Sequence, residues 1–218
     1  MNAGRSARRP ARGPRVVGLT GPIGCGKSTV ARWIVERGGV LVDADVLARD
    51  VTAPGAPTLP AIRGRFGDAV FAADGSLDRA ALASVVFSDP AALRDLEAIV
   101  HPAVHVRILG ALDAARASGA PFVAIEAIKL VEAGLAALCD EVWIVECEPQ
   151  AQRARLAGRG VPAEDAERRI VAQGAGLADR LAERLATDAP DLPVRRLRTD
   201  GPESSVRNAV EAVLDEVR

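Results

Sequence analysis

The sequence predicts an α/β protein built on a doubly wound, five-stranded parallel sheet. Three observations support this fold class. A glycine-rich, phosphate-binding pattern joins the first apolar run to a helical pattern, and short apolar runs alternate with longer helical segments. The run at 122–125 is typical of a strand buried on both faces of a parallel sheet, and the run at 141–147 has the same character. The predicted strands lie at residues 16–19, 40–45, 122–125, 141–147 and 194–197.

The composition suits one folded domain. The chain has 218 residues, of which 49% are hydrophobic and only 3% aromatic, so we expect a core of Val, Leu, Ile and Ala. A formal net charge of −1 argues against bulk nucleic-acid binding. Charged residues interrupt every apolar run, so we expect no membrane-spanning segment. The sequence leaves the oligomeric state open.

The three cysteines are widely spaced, at Cys25, Cys139 and Cys147. This spacing predicts neither a metal cluster nor a disulfide framework, and it favours a reducing, cytoplasmic location. Cys25 lies inside the phosphate-binding pattern, where backbone amides and Lys27 would favour a thiolate. We interpret Cys25 as a small side chain that fits the loop; a redox role is the alternative.

The phosphate-binding pattern is RVVGLTGPIGCGKST, with glycines that let the backbone turn so that successive N–H groups face an anion. The following helix adds the positive end of its dipole. Lys27 would reach the β- and γ-phosphates, and the Ser28 hydroxyl would bind Mg²⁺. The loop residues predicted to contact ATP are Gly21, Gly24, Cys25, Gly26, Lys27, Ser28 and Thr29.

Two carboxylates, Asp43 and Asp45, follow the second apolar run. Ligands of open parallel sheets bind at the carboxyl ends of strands, so we predict that Asp45 faces the phosphates of the loop. The two side chains would point the same way on an extended backbone and diverge if the chain has already turned into a helix. The alternative role for one of them is to cap a helix over residues 46–51.

A long helical insertion is predicted between the second and third strands, over residues 55–119. Asp78 and Asp89 have the pattern of helix N-caps, and the His101–Pro102 pair is expected to interrupt the second of these helices. An insertion of this length is unusual for a crossover and suits a cover over a small acceptor molecule. The predicted helices are 58–66, 82–87, a segment that Asp89–Pro90 opens, and 104–117; a further short helix is predicted over 130–138.

Arginines dominate the helical region after the fourth strand. Arg155 and Arg159 share a predicted helix over 148–160, and another helix is expected over 163–173. These arginines indicate either a solvated helical face or a mobile lid that closes over a nucleotide, and we favour the lid. The predicted organisation is a disordered Arg-rich tail over 1–14 and a single domain over 15–218, with the lid and following helices over 150–186 and a last helix over 204–217.

Together, a phosphate loop, a strand-end carboxylate and an arginine helix make a phosphoryl-transfer site. The sequence has no Asn-Lys-x-Asp motif for reading guanine. From the residues alone, we predict a small-metabolite kinase that uses ATP and Mg²⁺.

The sequence also resembles the dephospho-coenzyme A kinase family. The matching segments appear in family order: GLTGPIGCGKST at 18–29, VDADVLARDVTAPG at 42–55, the run at 77–102 that ends in LEAIVHP, and a pattern formed by Arg155, Leu156, Arg159, Arg169, Ile170 and Gln173. The resemblance implies a P-loop kinase fold and the last step of coenzyme A synthesis, in which ATP phosphorylates the ribose 3′-hydroxyl of dephospho-coenzyme A.

The resemblance also implies roles for individual residues. Asp45 matches the carboxylate that would take or orient the hydroxyl proton, and Lys27, Asp45 and Arg155 form the predicted catalytic set. Arg155 and Arg159 would lie near the ATP phosphates. For His101 a purely structural role is the alternative. The predicted acceptor-binding residues are Asp45, Arg49, His101, Glu126 and Lys129.

Some positions depart from the family pattern. Pro22 stands where the family usually has glycine, and EAIKLVE replaces the usual segment after the third strand, so that Lys129 would offer an extra cation to phosphate. Two other functions stay open: a kinase for another small acceptor, such as a nucleoside monophosphate or a sugar acid, and a nucleotide-binding regulator without catalysis.

Overall fold

The computed structural model of the protein describes residues 13–216, and within them a five-stranded sheet is the centre of the fold. All neighbouring strands run parallel, in the order β2-β3-β1-β4-β5. This confirms the predicted fold class. The strands are β1 (Arg15–Thr20), β2 (Val40–Asp43), β3 (Phe122–Glu126), β4 (Glu141–Glu146) and β5 (Val194–Arg198).

The three central strands are apolar on both faces because helices cover both sides of the sheet. Val17 of β1, for example, is fully buried and lies between Ala124 of β3 and Glu141 of β4 in the register. The helices are α1 (Lys27–Glu36), α2 (Ala44–Asp50), α3 (Leu59–Phe66), α4 (Arg79–Ser88), α5 (Pro90–Ala117), α6 (Pro149–Gly158), α7 (Ala163–Gln173), α8 (Leu177–Asp188) and α9 (Glu203–Asp215).

Two hydrophobic clusters form the two layers of the core. On one face, α1 and α9 pack through side chains such as Ile34 and Val210 against Leu19 of β1. On the other, α2, α5 and α8 pack through side chains such as Ile108 and Leu181. Burial of these aliphatic side chains at about 25 cal/mol per Å² is the main force that holds the helices to the sheet.

The segment between β2 and β3 forms its own small cluster, away from the two core layers. Its centre is Ile62, Val70, Leu82, Val86 and Ala92, contributed by α3, a 3₁₀ turn over Asp68–Val70, α4 and the start of α5. Asp78 and Asp89 cap α4 and α5 through their carboxylates, as predicted.

Helix α5 differs from the prediction because Pro102 lies inside it and does not end it. Proline removes one backbone hydrogen bond of a helix. The helix nevertheless continues because its buried residues on either side, such as Ala92 and Val104, pack against different neighbours and hold both halves.

By length and composition α5 could also cross a membrane, so the premise that charged residues interrupt every apolar run too often for such a segment is wrong. One such helix is weak evidence, since core helices of soluble proteins pass the same test. Ile108 and Ala115 of α5 are buried against the sheet layer, as expected for a helix of the folded domain.

The short helix predicted over 130–138 is also wrong in its extent. The chain forms turns and then a 3₁₀ helix over Leu135–Leu138, because Gly134 adopts a left-handed backbone conformation with φ 71°. Most of the predicted N-terminal tail, residues 1–12, lies outside the described residues, as does residue 217, where the last helix was predicted to end. The predicted limits of tail, insertion and lid stay predictions.

Candidate functional site

The phosphate-binding pattern forms a tight loop between β1 and α1, as predicted. Gly21, Gly24 and Gly26 adopt φ values of 127°, 78° and 94°, which side-chain-bearing residues rarely adopt. At Gly21 a Cβ atom would lie 2.2 Å from the backbone oxygen of Val145, so any side chain there would collide with β4. The glycines are therefore required by both conformation and space.

Lys27, at the start of α1, folds back over this loop. Its Nζ donates hydrogen bonds to the carbonyl oxygens of Gly21 at 2.9 Å and Pro22 at 3.0 Å. Burial lowers the pKa of Lys27, and the nearby carboxylates of Glu126 and Asp45 oppose that shift. The ammonium is thus held inside the loop, next to two acidic groups and with only 7% of the residue exposed.

The two aspartates after β2 have diverged, because the chain turns into α2 directly after Asp43. The Asp43 carboxylate caps this helix and accepts hydrogen bonds from the N–H groups of Asp45 and Val46. Asp45 lies in the first turn of α2. Asp43 therefore has the helix-capping role that was the alternative for one of the two aspartates. The Asp45 carboxylate takes no part in the cap and remains the candidate for the cleft beside Lys27.

Asp45 reaches solvent, yet the surrounding protein removes enough water to raise the pKa of its carboxyl group. Desolvation is the largest cause, and Asp43 adds repulsion; the cations Lys27 and Arg49 oppose the shift. Arg49, one turn later on α2, is thus electrostatically coupled to Asp45. A raised pKa at a carboxylate in a cleft is typical of functional sites but also occurs in structural networks.

Glu126 ends β3 and contacts the start of α1. The Ser28 hydroxyl donates to Oε1 of Glu126 at 2.9 Å. Burial raises the pKa of Glu126, while the bond from Ser28 and the charge of Lys27 lower it. This hydroxyl–carboxylate pair is a donor set of the kind that Mg²⁺ prefers. Within residues 13–216, no group of three His, Cys, Asp or Glu side chains is arranged to hold a metal by itself.

The arginine predicted to face the phosphates, Arg155, instead contacts the segment after β5. Its Nη1 donates to the Thr199 hydroxyl at 2.8 Å and its Nη2 to the Thr199 carbonyl. The Thr199 hydroxyl in turn donates to the carbonyl of Cys25 at 2.8 Å. Arg155 is thus linked to the phosphate loop through Thr199, a buried residue that the sequence did not single out.

A cavity of 340 Å³ opens beside the loop and α1. Arg159 lines it together with Arg155, so both predicted arginines face the same space. This volume falls in the range of small-molecule sites. The C-terminal part of the chain supplies one wall of this cavity, through Thr199, Gly201, Glu203 and Val206, and Trp33 of α1 also lines it.

The cysteine prediction is wrong in one respect, because Cys25 and Cys147 form a disulfide bond. The two residues are 122 positions apart in sequence but follow β1 and β4, which are adjacent in the sheet. Cys139 is a free thiol, and burial raises its pKa to about 12. Spacing along the chain does not reveal a pair that only the strand order brings together.

The remaining predicted acceptor residues are not all brought to the loop. His101 is half-buried in the middle of α5. Lys129, after β3, donates from Nζ to Oε1 of Glu97 on α5 at 2.7 Å. Lys129 thus joins the end of β3 to the helical insertion, and its predicted contact with phosphate stays a prediction.

Gln152 and Gln173 contact the loop, although the sequence assigned neither of them a role in it. Both hydrogen-bond to the backbone of Ile23, at the tip of the loop. A signal was present in the sequence, because Gln173 belongs to the family pattern and Gln152 lies one turn before Leu156 on the same predicted helix.

Comparison with known proteins agrees with the geometry. A model of the dephospho-CoA kinase family matches residues 15–187. The chain is 46% identical over 183 residues to a dephospho-CoA kinase of Streptomyces avermitilis, an alignment that covers 83% of this chain and 87% of the relative. It is 44% identical over 160 residues to that of Symbiobacterium thermophilum, covering 73% of this chain and 67% of the relative.

Solved structures share the same fold. The crystal structure of TT1252 from Thermus thermophilus superimposes with a TM-score of 0.76 at 30% identity, and the match covers 95% of this chain and 100% of that one. A dephospho-CoA kinase from Campylobacter jejuni has a TM-score of 0.64 at 20% identity, covering 93% and 96% of the two chains. The latter is a likeness of fold.

Proposed function

Because the chain belongs to the dephospho-CoA kinase family, we propose that its phosphate loop binds the triphosphate of ATP while Asp45 orients the ribose 3′-hydroxyl of dephospho-CoA. The reaction transfers the γ-phosphoryl group to that hydroxyl and gives coenzyme A and ADP, the last step of coenzyme A biosynthesis. ATP and dephospho-CoA are the substrates.

One observation carries this proposal: the Lys27 ammonium is buried over the glycine loop, bonded to the carbonyls of Gly21 and Pro22, beside the end of β3 that carries Glu126 and the first turn of α2 that carries Asp45. An in-line transfer needs a cation that binds phosphate and a carboxylate that aims the alcohol in the same cleft. On nucleotide binding, Lys27 would exchange its hydrogen bonds to the carbonyls of Gly21 and Pro22 for bonds to the β- and γ-phosphates. Bonds to the anionic phosphates are stronger than bonds to the neutral carbonyls.

Asp45 would act mainly by position. In a loose phosphoryl-transfer transition state the attacking hydroxyl keeps its proton until late, so a strong base is not needed. An ionised carboxylate that accepts the hydroxyl hydrogen bond fixes the direction of the oxygen lone pair. The pKa of Asp45, raised by desolvation, also makes it a better proton acceptor once the bond to phosphorus forms.

The residues present fit a magnesium ion. Ser28 would bind it through the hydroxyl, and Glu126 would hold its hydration shell, because the two groups already share a hydrogen bond of 2.9 Å. When bound, Mg²⁺ neutralises charge on the β- and γ-phosphate oxygens. Asp43 stays committed to capping α2.

We assign the nucleoside of ATP to the 340 Å³ cavity beside α1. Thr29 and Trp33, both on α1, would contact the base or ribose, and Arg159 would turn toward phosphate within the same cavity. Arg155 would reach the phosphates by exchanging its bonds to Thr199 for bonds to the nucleotide as α6 and α7 close.

The acceptor would lie between α2 and α5, where Arg49, His101 and Lys129 offer cationic or hydrogen-bonding groups to the pyrophosphate of dephospho-CoA. We further propose a cytoplasmic location, in which the Cys25–Cys147 pair would be largely reduced. We expect no nucleic-acid or membrane partner.

The proposal is tested by measuring ADP release with a panel of acceptors. We expect turnover with dephospho-CoA that greatly exceeds turnover with nucleoside monophosphates and sugar acids. Fast turnover with another acceptor and none with dephospho-CoA would overturn the assignment. ATP binding without any transfer would instead favour a regulatory protein.

A further inference from the structure

Ile23, at the tip of the phosphate loop, is bound from outside the loop by two glutamine side chains. Its N–H donates to Oε1 of Gln173 at 2.9 Å, and its carbonyl accepts from Nε2 of Gln152 at 2.7 Å. The chain contains only three glutamines, and two of them meet at this residue. We call the pair the glutamine clamp.

The polarity of the clamp fixes the direction of the loop amides. A trans peptide group points its carbonyl and its N–H in opposite directions. The Pro22 carbonyl points toward Lys27, so the N–H of Ile23 points away from Lys27, where Gln173 accepts it. The Ile23 carbonyl points toward Gln152 on α6, so the N–H of Gly24 points away from α6.

The third peptide group of the loop follows the same rule. The Cys25 carbonyl accepts from Thr199, so the N–H of Gly26 points away from Thr199. Carbonyls turned toward the surrounding protein leave N–H groups turned toward the concave side of a phosphate loop. Among the N–H groups of Ile23, Gly24 and Gly26, the N–H of Ile23 is the one that points away from Lys27 and toward α7. Gln173 of α7 accepts its hydrogen bond.

Burial makes the clamp specific for this loop conformation. Gln152 is only 6% exposed, and a Cβ on Gly24 would lie 3.0 Å from its backbone oxygen and 3.1 Å from Cγ of Leu156. The loop therefore packs directly on α6. A rotated Ile23 peptide would leave the buried Gln152 amide without its acceptor, which is unfavourable for a group shielded from water.

Gln173 is itself held in place, at the last residue of α7. Its carbonyl accepts from Nη2 of Arg180 at 2.6 Å, and Gly174 follows with φ 72°. Arg153 on α6 binds Glu167 on α7 through two hydrogen bonds of 2.9 Å and 3.0 Å. The two helices that carry the clamp are thus joined to each other as well as to the loop.

We propose that Gln152 and Gln173 are positioning residues that pre-form the phosphate loop for the ATP triphosphate and couple it to the α6–α7 pair. The inference rests on the proposed function, because the loop ligand is taken to be the triphosphate. Neither glutamine needs to touch the nucleotide: both act through the peptide groups of Ile23.

The first experiment measures, by calorimetry on the full chain, the affinities for ADP and for adenosine of Gln152→Met and Gln173→Met variants. Methionine keeps the length of the side chain and removes the one hydrogen bond that each glutamine makes to Ile23. We expect each variant to bind ADP about tenfold more weakly, the loss of one good hydrogen bond, while adenosine affinity changes less than twofold. Gln150→Met, at an exposed position of the same helix α6, is the matched control and should change neither affinity.

The second experiment uses the polarity of the clamp. Gln173 accepts a hydrogen bond, so the carboxylate of Gln173→Glu still binds the Ile23 N–H. Gln152 donates, so Gln152→Glu places an anion against a carbonyl and has nothing to donate. Both variants add the same charge near the phosphates. We therefore expect the KM for ATP to rise at least fivefold more in Gln152→Glu than in Gln173→Glu, with the KM for dephospho-CoA within twofold of the parent.

Several results would overturn the clamp. Unchanged ADP affinity in both methionine variants would do so, as would an equal loss of ADP and adenosine affinity, which indicates a merely structural role. Equal effects of the two glutamate variants would contradict the polarity argument. If Gln152→Met does not fold, the half-exposed Gln173 decides the question. A parent chain that binds adenosine and ADP equally would overturn the proposed function of the loop itself.

Discussion

In the phosphate loop, the carbonyls of Gly21, Pro22, Ile23 and Cys25 are each bound by a buried or partly buried side chain. These bonds come from α1, α6 and the segment after β5, all far from one another in sequence. Each is a neutral or charge-assisted hydrogen bond shielded from water, worth about 0.5–3 kcal/mol. The loop is therefore fixed from several sides at once.

The helical insertion over α3, α4 and the start of α5 is held differently. It has its own small hydrophobic cluster, and its polar contacts, such as Arg65 with Asp95, lie between half-exposed side chains. Exposed ion pairs of this kind contribute about 0–1 kcal/mol. Contacts to the sheet domain include the Lys129–Glu97 pair and hydrogen bonds from Arg79 to the carbonyls of Arg49 and Thr52.

The difference matches what each region has to do. The nucleotide side must present amides in fixed directions, since a misplaced phosphate reduces transfer steeply. The acceptor side must admit and release a long, flexible substrate. A region held by few buried contacts opens at a lower free-energy cost, and this favours substrate entry and release. We therefore expect substitutions in the loop region to act on rate, and substitutions in the insertion to act on acceptor binding with small effects on stability.

The largest expected effect comes from comparing the two lysines of the chain: Lys27 lies in the phosphate loop region, and Lys129, after β3, contacts Glu97 of the insertion. Lys27→Ala should reduce kcat about 10³-fold, because it removes the cation that stabilises developing charge on the phosphates. Lys129→Ala makes the same chemical change at the contact with the insertion and should reduce kcat less than tenfold, with its main effect on the KM for dephospho-CoA. ADP-release kinetics measure both. Equal losses in the two variants would contradict the contrast between the regions.

Asp45 gives the next largest effect and a pH signature. Desolvation and Asp43 raise the pKa of Asp45 above its ordinary 3.8, so the ionised form is lost at a higher pH than for a free aspartate. The kcat of the parent should therefore fall on the acid side through that raised pKa, while Asp45→Asn is about 10²-fold slower and flat over the same range.

The stability of the Asp45→Asn variant serves as its control. A carboxylate whose pKa is raised by folding favours the folded state only when protonated, so at pH 7 it lowers stability. The neutral asparagine removes that cost, and the melting temperature should stay equal or rise. A lower melting temperature would mean that the lost rate reflects damage to the fold.

The nucleotide region was also the part that the sequence predicted well, because its information is local. The glycines, Lys27 and Ser28 lie within one short segment, and backbone rules assign their geometry without knowledge of the fold. Strands β1 to β4 were predicted for the same reason, because each contains a short apolar run. Strand β5, with the sequence VRRLR, has only Val194 and Leu197 as apolar residues. The helix caps Asp78 and Asp89 are likewise set by contacts two or three residues away.

What the sequence did not predict depends on contacts across the fold. The Cys25–Cys147 disulfide and the glutamine clamp each join residues more than 120 positions apart, so only the strand order and helix packing bring them together. Pro102 was expected to break its helix by local preference, and packing of α5 on both sides overrode that preference. The same holds for Lys129, whose partner Glu97 is fixed by how the insertion folds back.

The disulfide tests whether the loop region also resists unfolding. It closes a long stretch of chain, and removing such a bond costs about 2–4 kcal/mol of unfolding free energy, or a fall of about 5–15 °C in the melting temperature. Adding a reductant to the parent and substituting Cys147→Ser should have equal effects, and the variant should not respond further to reductant. Cys139→Ser, which leaves the disulfide intact, should respond as the parent does. If the melting temperature of the parent does not change on adding reductant, the disulfide does not stabilise the loop region against unfolding.

The smallest expected effect lies at the contact between insertion and sheet. Lys129 and Glu97 form an ion pair at 2.7 Å in which the lysine side chain is 55% exposed, so solvent screens most of the attraction. A double-mutant cycle with Lys129→Met and Glu97→Gln should therefore give a coupling free energy below about 1 kcal/mol in unfolding experiments. Coupling of several kcal/mol would mean that this single pair anchors the insertion as firmly as buried bonds anchor the loop. In that case the insertion could not open without breaking the pair, and acceptor release would become the step that Lys129 controls.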